Sequence, residues 1–145
     1  MKYHILQISL TNAEVDLLNE KGHDAVPRHA RHLNVTIHDK FGDILIHDYD
    51  HVADIEADSL AEVVDLGNAD IDRYNHPQIN IVIDNPEQGL ASISEGDIII
   101  NSKTLKCYYD TGCKFVELVV SPEELEGLLF SSPTSKAIIM QEAMA

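Results

Sequence analysis

The run Ser92-Ile93-Ser94-Glu95-Gly96-Asp97-Ile98-Ile99-Ile100 constrains the fold more than any other stretch. Glycine followed by aspartate makes a turn: glycine permits positive φ, and the aspartate can take the backbone amides that follow it. The isoleucines then form a fully apolar β-strand, so the chain has to build a sheet around it. With 145 residues and 44 % hydrophobic content, one domain can bury a real core without disulfides or metal. Tryptophan is absent and aromatics make up only 6 %, so that core is aliphatic.

Other strands and helices fall around this one. Tyr3 to Leu10 is rich in β-formers and reads as the first strand. Thr11 to Glu14 is a capping box that opens a helix with Val15, Leu17 and Leu18 on its apolar face, closed by Gly22 in a left-handed cap. Pro27 suits the first turn of a short helix with Ala30 and Leu33 inward. Val35 to Ile37 and Ile44 to Ile46 read as short strands, with a turn at Lys40 to Asp43 between them. From Asp50 to Ala57, Ala53, Ile55 and Ala57 alternate with Asp54, Glu56 and Asp58, the pattern of a half-buried strand that is antiparallel or at a sheet edge. Ser59 and Glu62 form a second capping box; Leu60, Val63 and Val64 make the helix stripe, and Gly67 stops it. Asp70 to Pro77 is a loop, and Ile79 to Ile83 a strand. Thr104 to Tyr109 and Lys114 to Val120 pair as a hairpin across Asp110-Thr111-Gly112. Ser121, as N-cap ahead of Pro122, opens a helix that runs to Phe130. The fold class is a single α+β domain: a mixed or antiparallel sheet with two or three short helices and a strand-rich C-terminal half. Residues 1–120 form the domain proper, and residues 121–145 a helix and tail packed on it or extending from it.

Charge narrows the partners. Twenty-five acidic residues against 10 basic ones give −15 at pH 7. Such a field repels phosphates and anionic membranes and attracts a basic protein surface. It serves solubility equally well. No stretch has the length or apolarity of a membrane span, and the opening residues lack the apolar run of a signal peptide. The expectation is a cytoplasmic protein, in the host cell cytosol, with reduced thiols.

Several ordered segments together resemble one known family. They are Lys2 to Gln7, Tyr49 to Ala53, Leu60 to Asn68, Ser92 to Ile99, Tyr108 to Asp110, and a closing piece with Gly112 and Phe115. This order is similar to the YodL-like domain, over roughly residues 2–118. The resemblance implies an α+β fold and a phage, plasmid or conjugative-element setting, often beside modules thought to counter host defences. It brings no catalytic residues with it.

Asp48, Asp50, Asp54, Glu56 and Asp58 form a ladder at even positions, followed by Glu62 and Asp65 on the next helix. Two strand residues span about 6.6 Å, near the phosphate spacing along one nucleic-acid strand. The ladder therefore either imitates DNA toward a host protein or is a solvated face that blunts an exposed edge. The eight histidines include His29 and His32 three apart and His47 and His51 four apart, with no His-Glu-x-x-His arrangement. The expectation is no metal and no cofactor. Cys107 and Cys113 flank the hairpin turn and read as small apolar residues, with no histidine nearby in sequence to activate either.

The function expected is non-enzymatic: an acidic phage or mobile-element protein that binds and inhibits a host protein with a basic surface, as an anti-defence, DNA-mimic-like inhibitor. Its partner-binding residues are Asp48, Asp50, Asp54, Glu56, Asp58, Glu62 and Asp65, and the Pro122 helix offers a homodimer contact. The alternative is a nucleic-acid-binding small β-barrel centred on residues 92–115, relying on Lys103, Lys106 and Lys114. Nucleic acid is the less expected partner, because those lysines are few against the acidic total.

Overall fold

A computed structural model describes residues 1–8, 10–38, 40–68, 76–82 and 93–129. Its strands are β1 (Lys2–Gln7), β2 (Asp50–Glu56), β3 (Ile79–Ile81), β4 (Ile98–Asn101), β5 (Cys107–Asp110) and β6 (Phe115–Leu118). Its helices are α1 (Asn12–Lys21), α2 (Pro27–His38), α3 (Leu60–Asn68) and α4 (Pro122–Leu129). The strands form one antiparallel sheet in the order β3-β2-β1-β4-β5-β6. This is a single α+β domain. Four of the six described strands fall after residue 75, while residues 83–92 and 130–145 of that half lie outside the described residues.

Both faces of the sheet are covered. Alternation along β4 sends Ile99 to one face and Ile98 and Ile100 to the other, all three fully buried. Ile99 joins Tyr3, Ile5, Ala53 and Ile55 under α3, whose Val63 is fully buried. Ile98 and Ile100 join Leu6, Cys107 and Tyr109 under Val35 of α2 and Leu125 and Leu128 of α4. Each fully buried isoleucine contributes about 1.5–3 kcal/mol. The apolar run of β4 is thus the shared wall of two cores.

The caps formed as expected. Thr11 and Glu14 exchange side-chain and backbone hydrogen bonds at 3.1 and 3.2 Å. Glu62 donates its amide to Ser59 Oγ while its carboxylate accepts from the amide of Asp58. Ser121 Oγ accepts from the amide of Glu124. The hairpin between β5 and β6 is present, with Asp110 opposite Phe115. Gly22 ends α1 at φ 88°, but ψ is 178°, so its backbone leaves in an extended rather than a left-handed helical direction.

Several expectations are corrected. Val35 to Ile37 is the last part of α2: burying Val35 against Leu6 and Ile98 outweighs the β-preference of Val, Thr and Ile, and Thr36 Oγ1 donates back to the Leu33 carbonyl. Ile44 to Ile46 forms no strand, because its backbone groups are used in two 3-10 turns, Phe41–Asp43 and Ile46–Asp48. Gly67 lies inside α3, where a Cβ would run into Ile93. It is the penultimate residue of α3, so the helix ends where expected, but the glycine also serves close packing. Asp97 accepts the amide of Ser94, which precedes it, rather than the amides that follow. The described strands make an open sheet with β3 and β6 outermost, so no barrel surrounds residues 92–115.

Candidate functional site

The acidic ladder does not emerge as a row of free carboxylates. Asp48 sits in the Ile46–Asp48 turn, buried, and accepts a two-pronged pair from Arg31: Nε at 2.8 Å and Nη2 at 2.6 Å. Asp50, at the start of β2, accepts from Arg28 Nη1 at 3.0 Å. Arg28 also reaches Glu14 at 2.8 and 3.1 Å, tying α1 to α2 and β2. Its hydrogen bond holds the Glu14 carboxyl below its ordinary range. Glu56 meets the amino group of Met1 at 3.1 Å. Asp58 and Asp65 are exposed, and Glu62 is half-buried between them. β2 lies between β1 and β3, so the expected exposed acidic edge does not form there.

Asp54 has the most unusual surroundings of the seven. His4 Nδ1 lies 2.6 Å and His51 Nε2 2.7 Å from the same oxygen, Asp54 Oδ1. The two rings meet edge to face at 4.9 Å. Burial alone would raise the Asp54 pKa, yet the two imidazole hydrogen bonds outweigh it and hold the carboxyl well below its ordinary range. Sequence reading missed this group because strict alternation puts His51 and Asp54, three residues apart, on opposite faces. A β-bulge resolves the conflict. Ile5 pairs with Ala53 and Leu6 with His51, leaving Val52 as the extra residue. Val52 and Ala53 both enter the core under α3, and His51 turns to the face of Asp54 and His4.

A second polar cluster borders the Gly96-Asp97 turn. A cleft of about 260 Å³ is lined by Gln7, His29, His32, Glu95 and Asp97 among others. Asp97 is buried and accepts from Gln7 Nε2 at 3.1 Å and from the Ser94 amide at 3.0 Å. Burial outweighs those two hydrogen bonds, and with nearby Asp110 it pushes the Asp97 pKa up to about 7. His32 is pushed down by burial and by His29, and its Nδ1 is buried without a partner. Gly96, at φ 94°, lets the His32 ring lie against its backbone, and Tyr49 donates its hydroxyl to the Gly96 carbonyl at 2.6 Å. The cleft therefore offers an uncharged imidazole and a carboxyl that changes charge near neutral pH. Sequence spacing signalled His29 and His32, but gave nothing that joined Gln7 to Asp97 across 90 positions.

The remaining candidates separate. His47 is exposed while His51 is buried, so they do not act together. Cys107 is buried, and burial pushes its thiol up to about 11. Cys113 is exposed in the turn, so the role of a small apolar residue falls to Cys107 alone. Lys103 and Lys106 lie in the β4–β5 connection and Lys114 in the β5–β6 turn, at opposite ends of β5. They form no single basic patch. No helix among the described residues is long and apolar enough to cross a membrane. Compared with protein-family models, curated proteins and solved structures, the chain has no match.

Proposed function

We propose that the protein acts without catalysis, by binding a partner protein through a basic surface on that partner. The observation that carries this reading is the use made of the two described arginines. Arg28 and Arg31 are engaged with Glu14, Asp48 and Asp50 inside the chain. Among the described residues the exposed carboxylates Asp58 and Asp65 have no arginine partner, and the chain as a whole carries a formal charge of −15. Asp58, just ahead of α3, and Glu62 and Asp65 on it follow i, i+4, i+7 spacing. The exposed Asp58 and Asp65 are the docking charges of this reading, with the half-buried Glu62, which also holds the Asp58 amide and Gln78, between them. Asp48, Asp50 and Asp54 are engaged within the chain by Arg31, Arg28 and two histidines, and Glu56 meets the Met1 amino group at the surface. Charge of this kind speeds encounter and selects basic partners more than it adds affinity.

The setting of a phage or mobile-element protein that blocks a host protein, a defence component among them, rests on the resemblance to the YodL-like domain and belongs to the same proposal. Capture from a host lysate tests it, comparing the tagged wild-type chain with Asp58→Asn/Asp65→Asn. A basic protein retained by the wild type and lost by the variant is the expected result. Equal capture by both moves the surface away from α3. Recovery of nucleic acid without protein contradicts the reading.

A further inference from the structure

We propose that His4, His51 and Asp54 form a binding site for a divalent transition-metal cation of the zinc class. Two imidazole nitrogens and one carboxylate oxygen are the donors such borderline cations favour, whereas calcium and magnesium favour oxygen alone. One ligand atom from each residue lies within 4.8 Å of the others. All three side chains are largely enclosed, at 15 %, 6 % and 14 % exposure for His4, His51 and Asp54. The bulge at Val52 is what assembles them. In a regular strand His51 faces away from Asp54, so the extra residue re-aims one ligand onto the same face as the other two.

Each donor sits about 2.0–2.2 Å from a bound cation, which in a tetrahedral shell sets neighbouring donors about 3.4 Å apart. The present 2.6 and 2.7 Å contacts to one carboxylate oxygen have to widen toward that distance for a cation to enter. Metal entry replaces the two hydrogen bonds to Oδ1, and each ring then turns a lone pair inward. Any imidazole proton displaced goes to solvent, so binding weakens in acid.

The site has an open side. Lys2 and Glu56 flank His4 and Asp54 on the same face, and Asn80 stands opposite Asp54; all three are exposed. Three protein ligands with room for water or an exogenous group is the arrangement of an exchangeable centre rather than a closed structural one. His51 Nδ1 is buried without a hydrogen-bond partner, so this ligand lacks the outer support that usually firms an imidazole. Affinity is accordingly expected below that of a fully supported site by roughly 10–100-fold.

Titration of the metal-free full chain with Zn²⁺ tests the proposal, followed by calorimetry and by imidazole ¹⁵N NMR. One equivalent is expected to bind, shifting the His4 and His51 ring signals first. Asp54→Asn and His4→Gln should each weaken binding by tenfold or more, while His23→Gln and His29→Gln leave it unchanged. Co²⁺ in place of Zn²⁺ should give a visible absorption band that Asp54→Asn abolishes. Absence of binding overturns the proposal, as does Zn²⁺ shifting first the stacked His23–His29 pair. The NMR measurement uses the wild-type chain, so it decides the matter even where a substitution unfolds the protein.

Discussion

At the scale of single residues, Asp97 shows how burial and hydrogen bonding compete. The unfolded chain ionises this carboxyl near its ordinary value, about 3.9. The folded chain holds the proton up to about pH 7, because burial disfavours the charge. Between those values the folded state binds a proton that the unfolded state has lost, so this group's contribution to stability declines as pH rises and levels off above about 7. Asp97→Asn removes the titration. Both hydrogen bonds land on Oδ2 alone, which an asparagine carbonyl can replace. Relative to wild type, the variant should gain up to roughly 4 kcal/mol between about pH 4 and pH 8. Urea midpoints across that range measure it, and a constant difference would contradict the buried-acid account. The turn at Gly96-Asp97 was legible from the dipeptide. The partner on Gln7 was not, since a contact between two distant strands leaves no local periodicity.

The elements themselves were the most legible part. Thr11-Asn12-Ala13-Glu14 formed its capping box, and Ser59 capped the Glu62 amide while the Glu62 carboxylate took the Asp58 amide in place of the Ser59 one, because the bonds involved are local and the side chains reach only one turn. Thr11→Ala should therefore cost about 1 kcal/mol, read from thermal or urea unfolding. Tertiary packing overrode one expectation and added to another. The Val35 to Ile37 run has β-branched residues but is held in α2 by the buried Val35. Gly67 sits one residue before the end of α3, as a helix stop would, but Ile93 also fills the space where a Cβ would sit. Its substitution separates the two roles. As a mere stop, Gly67→Ala would be neutral or stabilising by up to about 1 kcal/mol. As a packing glycine, with a Cβ 2.6 Å from Ile93 Cγ1, the alanine should destabilise by roughly 1–3 kcal/mol. Gly96→Ala should behave likewise, since it combines a positive φ with a clash against the His32 ring. The bulge in β2 was the least legible feature. Alternation correctly placed Ala53 and Ile55 in the core, but one extra residue changes the face of everything before it, including His51.

For the molecule as a whole, the sign of the charge was readable and its distribution was not. Composition gave −15 but could not say that Asp48, Asp50, Asp54 and Glu56 would be matched by Arg31, Arg28, two histidines and the amino group of Met1. The arginine pairings depend on α2 crossing the end of β2, and the Asp54 and Glu56 pairings on the β1–β2 register, both long-range arrangements. The unmatched remainder repels itself, so added monovalent salt should raise the unfolding midpoint before any specific ion effect enters. A midpoint that falls with salt would mean the internal ion pairs dominate instead. The same unmatched charge is what the proposed partner would recognise. The most direct test is the association rate with the captured partner, followed by surface plasmon resonance across a series of ionic strengths. The account predicts a rate that falls steeply with salt for wild type and more gently for Asp58→Asn/Asp65→Asn. A rate independent of salt, or an equal slope for both chains, would contradict docking through the α3 carboxylates.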